Sequence, residues 1–185
     1  NCYGLLIQID SDDNLAQGNL LLANQGKGVF RVLGNPLDAG TVSADRNIMR
    51  DNAALFGEGG GLQMDDCVDS GGQIINNISY GNYYQAFSTK GNSDGLQGQH
   101  IMKHNRFYMT PFSRLGVAWW TGSEGACPNS GGYSYKIDNV MQDNILYSPD
   151  VQTGLPDAHT LLDLRGPQGT VFTTADHNIF WAAGS

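Results

Sequence analysis

The sequence predicts an all-β solenoid, a parallel β-helix of about six coils, on three observations: a recurring asparagine motif, period-two alternation after it, and no 3.6-residue apolar period. The motif is a small or polar residue, two mostly apolar ones, two polar ones, an asparagine, and then an apolar or aromatic residue. It occurs as "NLLLANQG" (Asn24), "NIMRDNAALF" (Asn52), "GQIINNISY" (Asn77), "HIMKHNRFY" (Asn105), "NVMQDNILY" (Asn144) and "TTADHNIFW" (Asn178). Steps of 28, 25, 28, 39 and 34 residues separate these asparagines. After them Ile78 and Tyr80, Ile145 and Tyr147, and Ile179 and Trp181 alternate with period two, as strands do.

A second strand follows in successive units, in "GVFRVLG", "GGLQMDD", "YQAFSTKG", "LGVAWWTG" and "TLLDLRG". Each unit is then a polar asparagine corner flanked by short strands and glycine turns. The asparagines of such a stack are expected to hydrogen-bond to one another along its axis, which offsets the cost of burying their amides and holds the register. Asn24, Asn52, Asn77, Asn105, Asn144 and Asn178 are expected in one column.

Bulk properties agree and narrow the function. A chain of 185 residues is read as one domain, and 25 glycines with only 15% charged residues suit a turn-rich fold rather than a disordered chain or coiled coil. The net charge of −8 disfavours binding to nucleic acid phosphates or to an anionic membrane surface. No apolar run reaches the length of a membrane span, so membrane insertion is not expected. Cys2, Cys67 and Cys127 allow at most one disulfide, for which Cys67 with Cys127 is the expected pair. No amphipathic capping segment is visible at either end, so the chain is expected to be part of a longer protein.

On these corners and strands the chain resembles the right-handed parallel β-helix proteins of the pectin-lyase-like superfamily, over essentially its whole length. That resemblance implies a right-handed coil, a polysaccharide partner and a secreted or cell-surface location. Locally, "QMDDCVDSGG" resembles the paired-aspartate segment of polygalacturonases, family 28 glycoside hydrolases, at Asp65, Asp66, Cys67 and Val68. The resemblance implies acid and base roles for Asp65 and Asp66. The family's Asn-Thr-Asp, Gly-His-Gly and Arg-Ile-Lys segments are absent.

Aligning the second strands by Leu62 and Met64 with Leu162 and Leu164 leaves two outward columns. One is expected to hold Gln63, Ser88, Trp119 and Asp163, the other Asp65, Lys90, Thr121 and Arg165. This is a polar stripe suited to a sugar chain. Aromatic faces pack on pyranose rings, paired carboxylates serve hydrolysis, and a Lys or Arg base beside a second cation serves β-elimination from a uronate. Asp65, Asp66, Lys90, Asp163 and Arg165 are therefore the candidate catalytic groups of a hydrolase or lyase. Gln63, Ser88, Trp119, Trp120 and Glu124 are the candidate substrate contacts, between long segments at Thr121 to Lys136 and Ser148 to His159. The alternative is a non-catalytic solenoid, carbohydrate-binding, adhesin or tailspike-like.

Two motifs read as structural. His100 and His104 would share a helical face as zinc ligands do, but in a strand frame they are polar corner residues, His104 in the slot of Ala23, Asp51, Asn76, Asp143 and His177 and His100 in that of Asn19, Asn47 and Asn139. "DSDDN" at Asp10 to Asn14 starts like a calcium loop, yet Leu15 stands where glycine is needed and Leu21 where the chelating glutamate is needed. A solvated acidic turn is the better reading, with calcium the one cofactor the sequence raises.

Overall fold

A computed structural model of the chain describes residues 3–8, 11–25, 28–33, 45–65, 71–91, 96–111, 113, 115–121, 135–137, 139–149, 160–165 and 172–182. Among these residues there is no helix, and the strands come in short units. In chain order they are β1 (Tyr3–Gln8), β2 (Leu15–Gln17), β3 (Leu20–Leu22), β4 (Gly28–Leu33), β5 (Ile48–Arg50), β6 (Ala53–Leu55) and β7 (Gly60–Asp65). There follow β8 (Gln73–Ile75), β9 (Ile78–Tyr80), β10 (Gln85–Gly91), β11 (Leu96–Gly98), β12 (Ile101–Lys103), β13 (Arg106–Tyr108) and β14 (Leu115–Thr121). The last are β15 (Tyr135–Ile137), β16 (Asn139–Gln142), β17 (Ile145–Ser148), β18 (Thr160–Arg165), β19 (Phe172–Asp176) and β20 (Ile179–Ala182).

Three six-stranded sheets collect these strands in rotation. The first is β1-β4-β7-β10-β14-β18, the second β2-β5-β8-β12-β16-β19, and the third β3-β6-β9-β13-β17-β20, while β11 and β15 form a separate pair. The recorded pairings are all parallel. Parallel strands in stacked sheets are compatible with the solenoid expected from sequence. The five second strands named from sequence are β4, β7, β10, β14 and β18, neighbours in the first sheet.

Short strands need sharp corners, and residues of left-handed backbone conformation supply them. Between the second and third sheets Gly18, Asp51, Asn76, His104, Asp143 and His177 have φ of 70°, 57°, 53°, 58°, 55° and 52°. An asparagine follows each of them. For all but Asn178, its backbone N–H and one Nδ2–H both donate to the Oδ1 of the asparagine one repeat on, as from Asn77 to Asn105 at 2.9 and 3.0 Å. The second Nδ2–H reaches back to a strand carbonyl, as from Asn77 to Met49 at 2.9 Å. A left-handed non-glycine residue costs about 1–3 kcal/mol, and several buried hydrogen bonds of about 1 kcal/mol each offset it.

The column runs Asn19, Asn52, Asn77, Asn105, Asn144, Asn178. Asn24, expected as its first member, is not in it. Asn24 sits at the next corner, where its carbonyl accepts the Glu58 N–H at 3.1 Å. Ala23 likewise belongs to that corner, and Gly18 is the first-repeat counterpart of His104. The first repeat reads "NLLLAN", with an asparagine at either end of one strand, so local pattern cannot tell the two corners apart.

The interior is filled from the middle residue of each short strand. Ala16, Met49, Ile74, Met102 and Met141 come from the second sheet, and Leu21, Ala54, Phe107 and Leu146 from the third. Leu62, Met64 and Phe87 close the core from the first sheet, with the rings of Phe87 and Phe107 at 6.1 Å. Gly61 is required there, since a Cβ would collide with Ser79 Oγ and lie 2.6 Å from the Ala86 carbonyl.

Candidate functional site

The four segments named for a groove are β7, β10, β14 and β18, consecutive in one sheet, so the topology brings their backbones together. One register row is Arg31, Gln63, Ser88, Ala118, Asp163. The next is Val32, Met64, Thr89, Trp119, Leu164. In the row after that Lys90 pairs with Trp120 and Trp120 with Arg165, and Asp65 pairs with Leu33 of β4. Asp65 and Lys90 each follow the last recorded pair of their strands, Met64 with Thr89.

This register corrects the expected columns on β14. Trp119 does not share a row with Gln63, Ser88 and Asp163; it shares one with Met64 and Leu164, and Ala118 takes its place. Thr121 pairs with Gly91, so Trp120 rather than Thr121 stands beside Lys90 and Arg165. The cause is the run Val117-Ala118-Trp119-Trp120, four apolar residues whose alternation has no visible phase. The partners settle it: Val117 pairs with Phe87 and with Leu162. Arg31 stands opposite Gln63 at the β4 end of the same row, a position that the columns expected from sequence do not include.

Gln63 and Ser88 are a second correction. Both were expected to be exposed substrate contacts, and both are buried. Gln63 Nε2 donates to Ser88 Oγ at 3.4 Å, and Gln63 Oε1 has no hydrogen-bond partner among the described residues. The side-chain amide occupies the space where a Cβ on Gly60 would stand. A large ligand cannot reach this pair without displacing what covers it. Asp66, Glu124, Cys2, Cys67 and Cys127 lie outside the described residues, as do positions 122–134 and 150–159 of the two long segments.

Comparison with protein-family models, curated proteins and solved structures gives no match. The remaining polar motifs are accounted for by the fold itself. His100 is buried, its Nδ1 accepting the Gly72 N–H at 3.1 Å and its own N–H donating to Asn139 Oδ1 at 3.1 Å. It stands in a second corner column, in which Asn14 donates to Asn47 Oδ1 at 3.0 Å; Asn14, not Asn19, is the first-repeat member. Gly72 leaves room for the imidazole, because a Cβ there would be 2.8 Å from His100 Nδ1 and 2.6 Å from Met64 Sδ. His104 is exposed, with Nδ1 3.8 Å from Asp143 Oδ2.

In the acidic turn, Arg46 donates to both carboxylate oxygens of Asp13 at 2.7 Å, and Asp12 Oδ1 accepts the Asp45 N–H at 2.8 Å. The hydrogen bonds from Arg46 hold the Asp13 carboxyl below the usual carboxylate range. Asp51 is held low by the hydrogen bond from Asn76 and then that from Gln17. Among the described residues no group of three or more His, Cys, Asp or Glu side chains is placed to hold a metal ion. No helix among them is long and apolar enough to cross a membrane.

Proposed function

We propose that the chain is a right-handed parallel β-helix of about six coils that acts on an acidic polysaccharide at the cell surface or outside the cell. The observation that carries this reading is the register row Lys90, Trp120, Arg165 on three adjacent strands. Neighbouring positions in a parallel sheet are about 4.8 Å apart, so cation, aromatic and cation follow one another over roughly the span of two sugar units. Such a row suits a uronate chain: the cations pair with ring carboxylates and the indole packs on an apolar ring face. A Lys or Arg within it is also the base that β-elimination needs, removing the proton α to a carboxylate that a second cation neutralises.

Hydrolysis by a carboxylate pair is less well supported. Asp65 lies two residues past Gln63 and Asp163 lies in the Gln63 row three strands away. Strand spacing and rise put those backbone positions about 16 Å apart, beyond the roughly 6.5–9.5 Å that separates the carboxyls of an inverting pair. The same separation, with the burial of Gln63 and Ser88, favours as second reading a non-catalytic binder of acidic polysaccharide.

Incubation with polygalacturonate, alginate and a neutral glucan, read for unsaturated uronate absorbance, new reducing ends and binding, tests both. Unsaturated ends from an acidic polymer support the lyase, and binding without new ends supports the binder. Equal or no binding to all three polymers overturns the proposal.

A further inference from the structure

Between the first and last strands of the three sheets, the exposed large apolar side chains among the described residues are Phe56, Tyr80, Tyr83 and Tyr84, all aromatic. Phe56 follows β6, Tyr80 ends β9, and Tyr83 and Tyr84 come just after, so they share one corner of the third sheet. The rings of Phe56 and Tyr80 meet edge to face at 5.2 Å and 77°, and the Tyr83 N–H donates to the carbonyl of Gly57, next to Phe56, at 2.8 Å. From Tyr80 the rings continue along the stack to Tyr108 at 6.1 Å and from there to Tyr147 at 5.9 Å, both half-buried. The six strands of that sheet carry a single charged residue, Arg106.

Phe56 is strained where it stands. Its backbone is left-handed, with φ of 54°, in the slot that Ala23 holds one repeat earlier and Gly81, with φ of 65°, one repeat later. A bulky residue rarely adopts that conformation. Its side chain is nevertheless 54% exposed, so burial does not offset the strain. Gly81 makes room for the ring, since a Cβ there would stand 2.9 Å from Phe56 Cδ1. A strained, solvent-facing aromatic set edge-on against a tyrosine points to recognition rather than to packing.

The shape and charge of this strip limit its occupant. Its strands are three or four residues long, so all six together cover roughly 10 by 24 Å, well short of the about 800 Å² that each partner gives to a stable dimer. A narrow linear ligand fits it better than a second copy of the chain, and one cation in six strands suits a ligand without charge. Neighbouring rings are inclined at 55° to 77°, so two of them cannot both lie flat as a sugar platform needs; they stand as ridges with notches between. We propose that this strip binds an uncharged, proline-rich segment of a partner protein in the polyproline II conformation, lying along the axis of the stack. One turn of that helix, three residues, rises about 9.3 Å, and two strand spacings are about 9.6 Å, so one face of the helix meets a notch at every second strand. Its pyrrolidine rings fill the notches, and its unpaired backbone carbonyls accept from the phenol hydroxyls. The strip lies on a different sheet from Lys90, Trp120 and Arg165, and its ligand does not depend on theirs.

Titration calorimetry of the full chain with an uncharged oligoproline of about eight to ten residues, long enough to span the strip, is expected to show one-to-one binding. A glycine-serine peptide of the same length and a neutral glucan oligosaccharide are expected not to bind at this strip. Phe56→Gly removes the ring and the backbone strain together, so it is expected to weaken oligoproline binding about tenfold while the melting temperature stays the same or rises. A ring that served only the fold would not give that combination. Tyr83→Ser, at a second exposed position, is expected to weaken binding severalfold with unchanged circular dichroism. No binding of oligoproline, equal binding of the glycine-serine peptide, displacement of oligoproline by the glucan, or undiminished binding by both variants would each overturn the proposal.

Discussion

At the corner between the second and third sheets, Asn52, Asn77, Asn105 and Asn144 repeat one side chain, one backbone conformation and one set of hydrogen bonds. Across the first sheet the row Lys90, Trp120, Arg165 changes its chemistry at every step. The two regions stack with the same strand spacing, so geometry does not force the difference. Where a buried polar group must be matched by its neighbours one repeat either side, only one residue type satisfies both, and the position cannot vary. Where a row has no such obligation, its side chains are free to serve a ligand. Repetition thus marks the scaffold, and variation marks where recognition is to be sought.

The sharpest way to break this comparison is within the column. Asn105→Ala removes an acceptor used by both donors of Asn77 and leaves the Ile74 carbonyl without the Asn105 amide, in a fully buried site. A loss of about 3–5 kcal/mol is expected in urea unfolding, whereas Asn24→Ala, outside the column, is expected to cost less than about 1 kcal/mol. Equal effects would remove the distinction between the two corners.

Next in size is the adjacent pair Gly72 and His100, where the second corner column departs from asparagine. Gly72→Ala would press on His100 Nδ1 and Met64 Sδ and is expected to cost about 1–3 kcal/mol. Combining it with His100→Asn, which restores the residue found at positions 47 and 139, is expected to cost less than the two single changes together. Strict additivity in this cycle would show that the two positions are not coupled.

On the first sheet the expectation is reversed. Lys90→Ala and Arg165→Ala are each expected to change unfolding free energy by less than about 0.5 kcal/mol while weakening binding of an acidic polysaccharide about tenfold, equivalent to about 1.4 kcal/mol. Trp120→Ala is expected to weaken binding more than Trp119→Ala, measured by titration calorimetry. The opposite order of the two tryptophans would contradict the row built on Trp120.

The smallest effect belongs to the exposed pair of Asp13 and Arg46. Because hydrogen bonds from Arg46 lower the folded-state pKa of Asp13, the pair stabilises the fold above the unfolded carboxylate value. Its contribution fades as pH falls below about 3.9 and through the lower folded-state value. Asp13→Asn is therefore expected to flatten the acid limb of a melting-temperature profile slightly, leaving the neutral region almost unchanged, since the pair is solvent-exposed and screened.

The sequence by itself determined the architecture: the asparagine motif, the period-two alternation after it and the five longer strands all correspond to elements of the three parallel sheets. It also determined that His100 and His104 serve corners, because nothing around them carries a helical period. What it left open was phase and cover. "NLLLAN" carries an asparagine at both ends, and only the bonds from Asn19 to Asn52 decide which one joins the column. "VAWW" alternates invisibly, and only the pairing of Trp120 with Lys90 and Arg165 decides which tryptophan shares the cations' row. The burial of Gln63 and Ser88 was likewise legible only in three dimensions. In each case the deciding partner lies one repeat away along the stack, some 25 to 45 residues distant in the chain, where local periodicity carries no information.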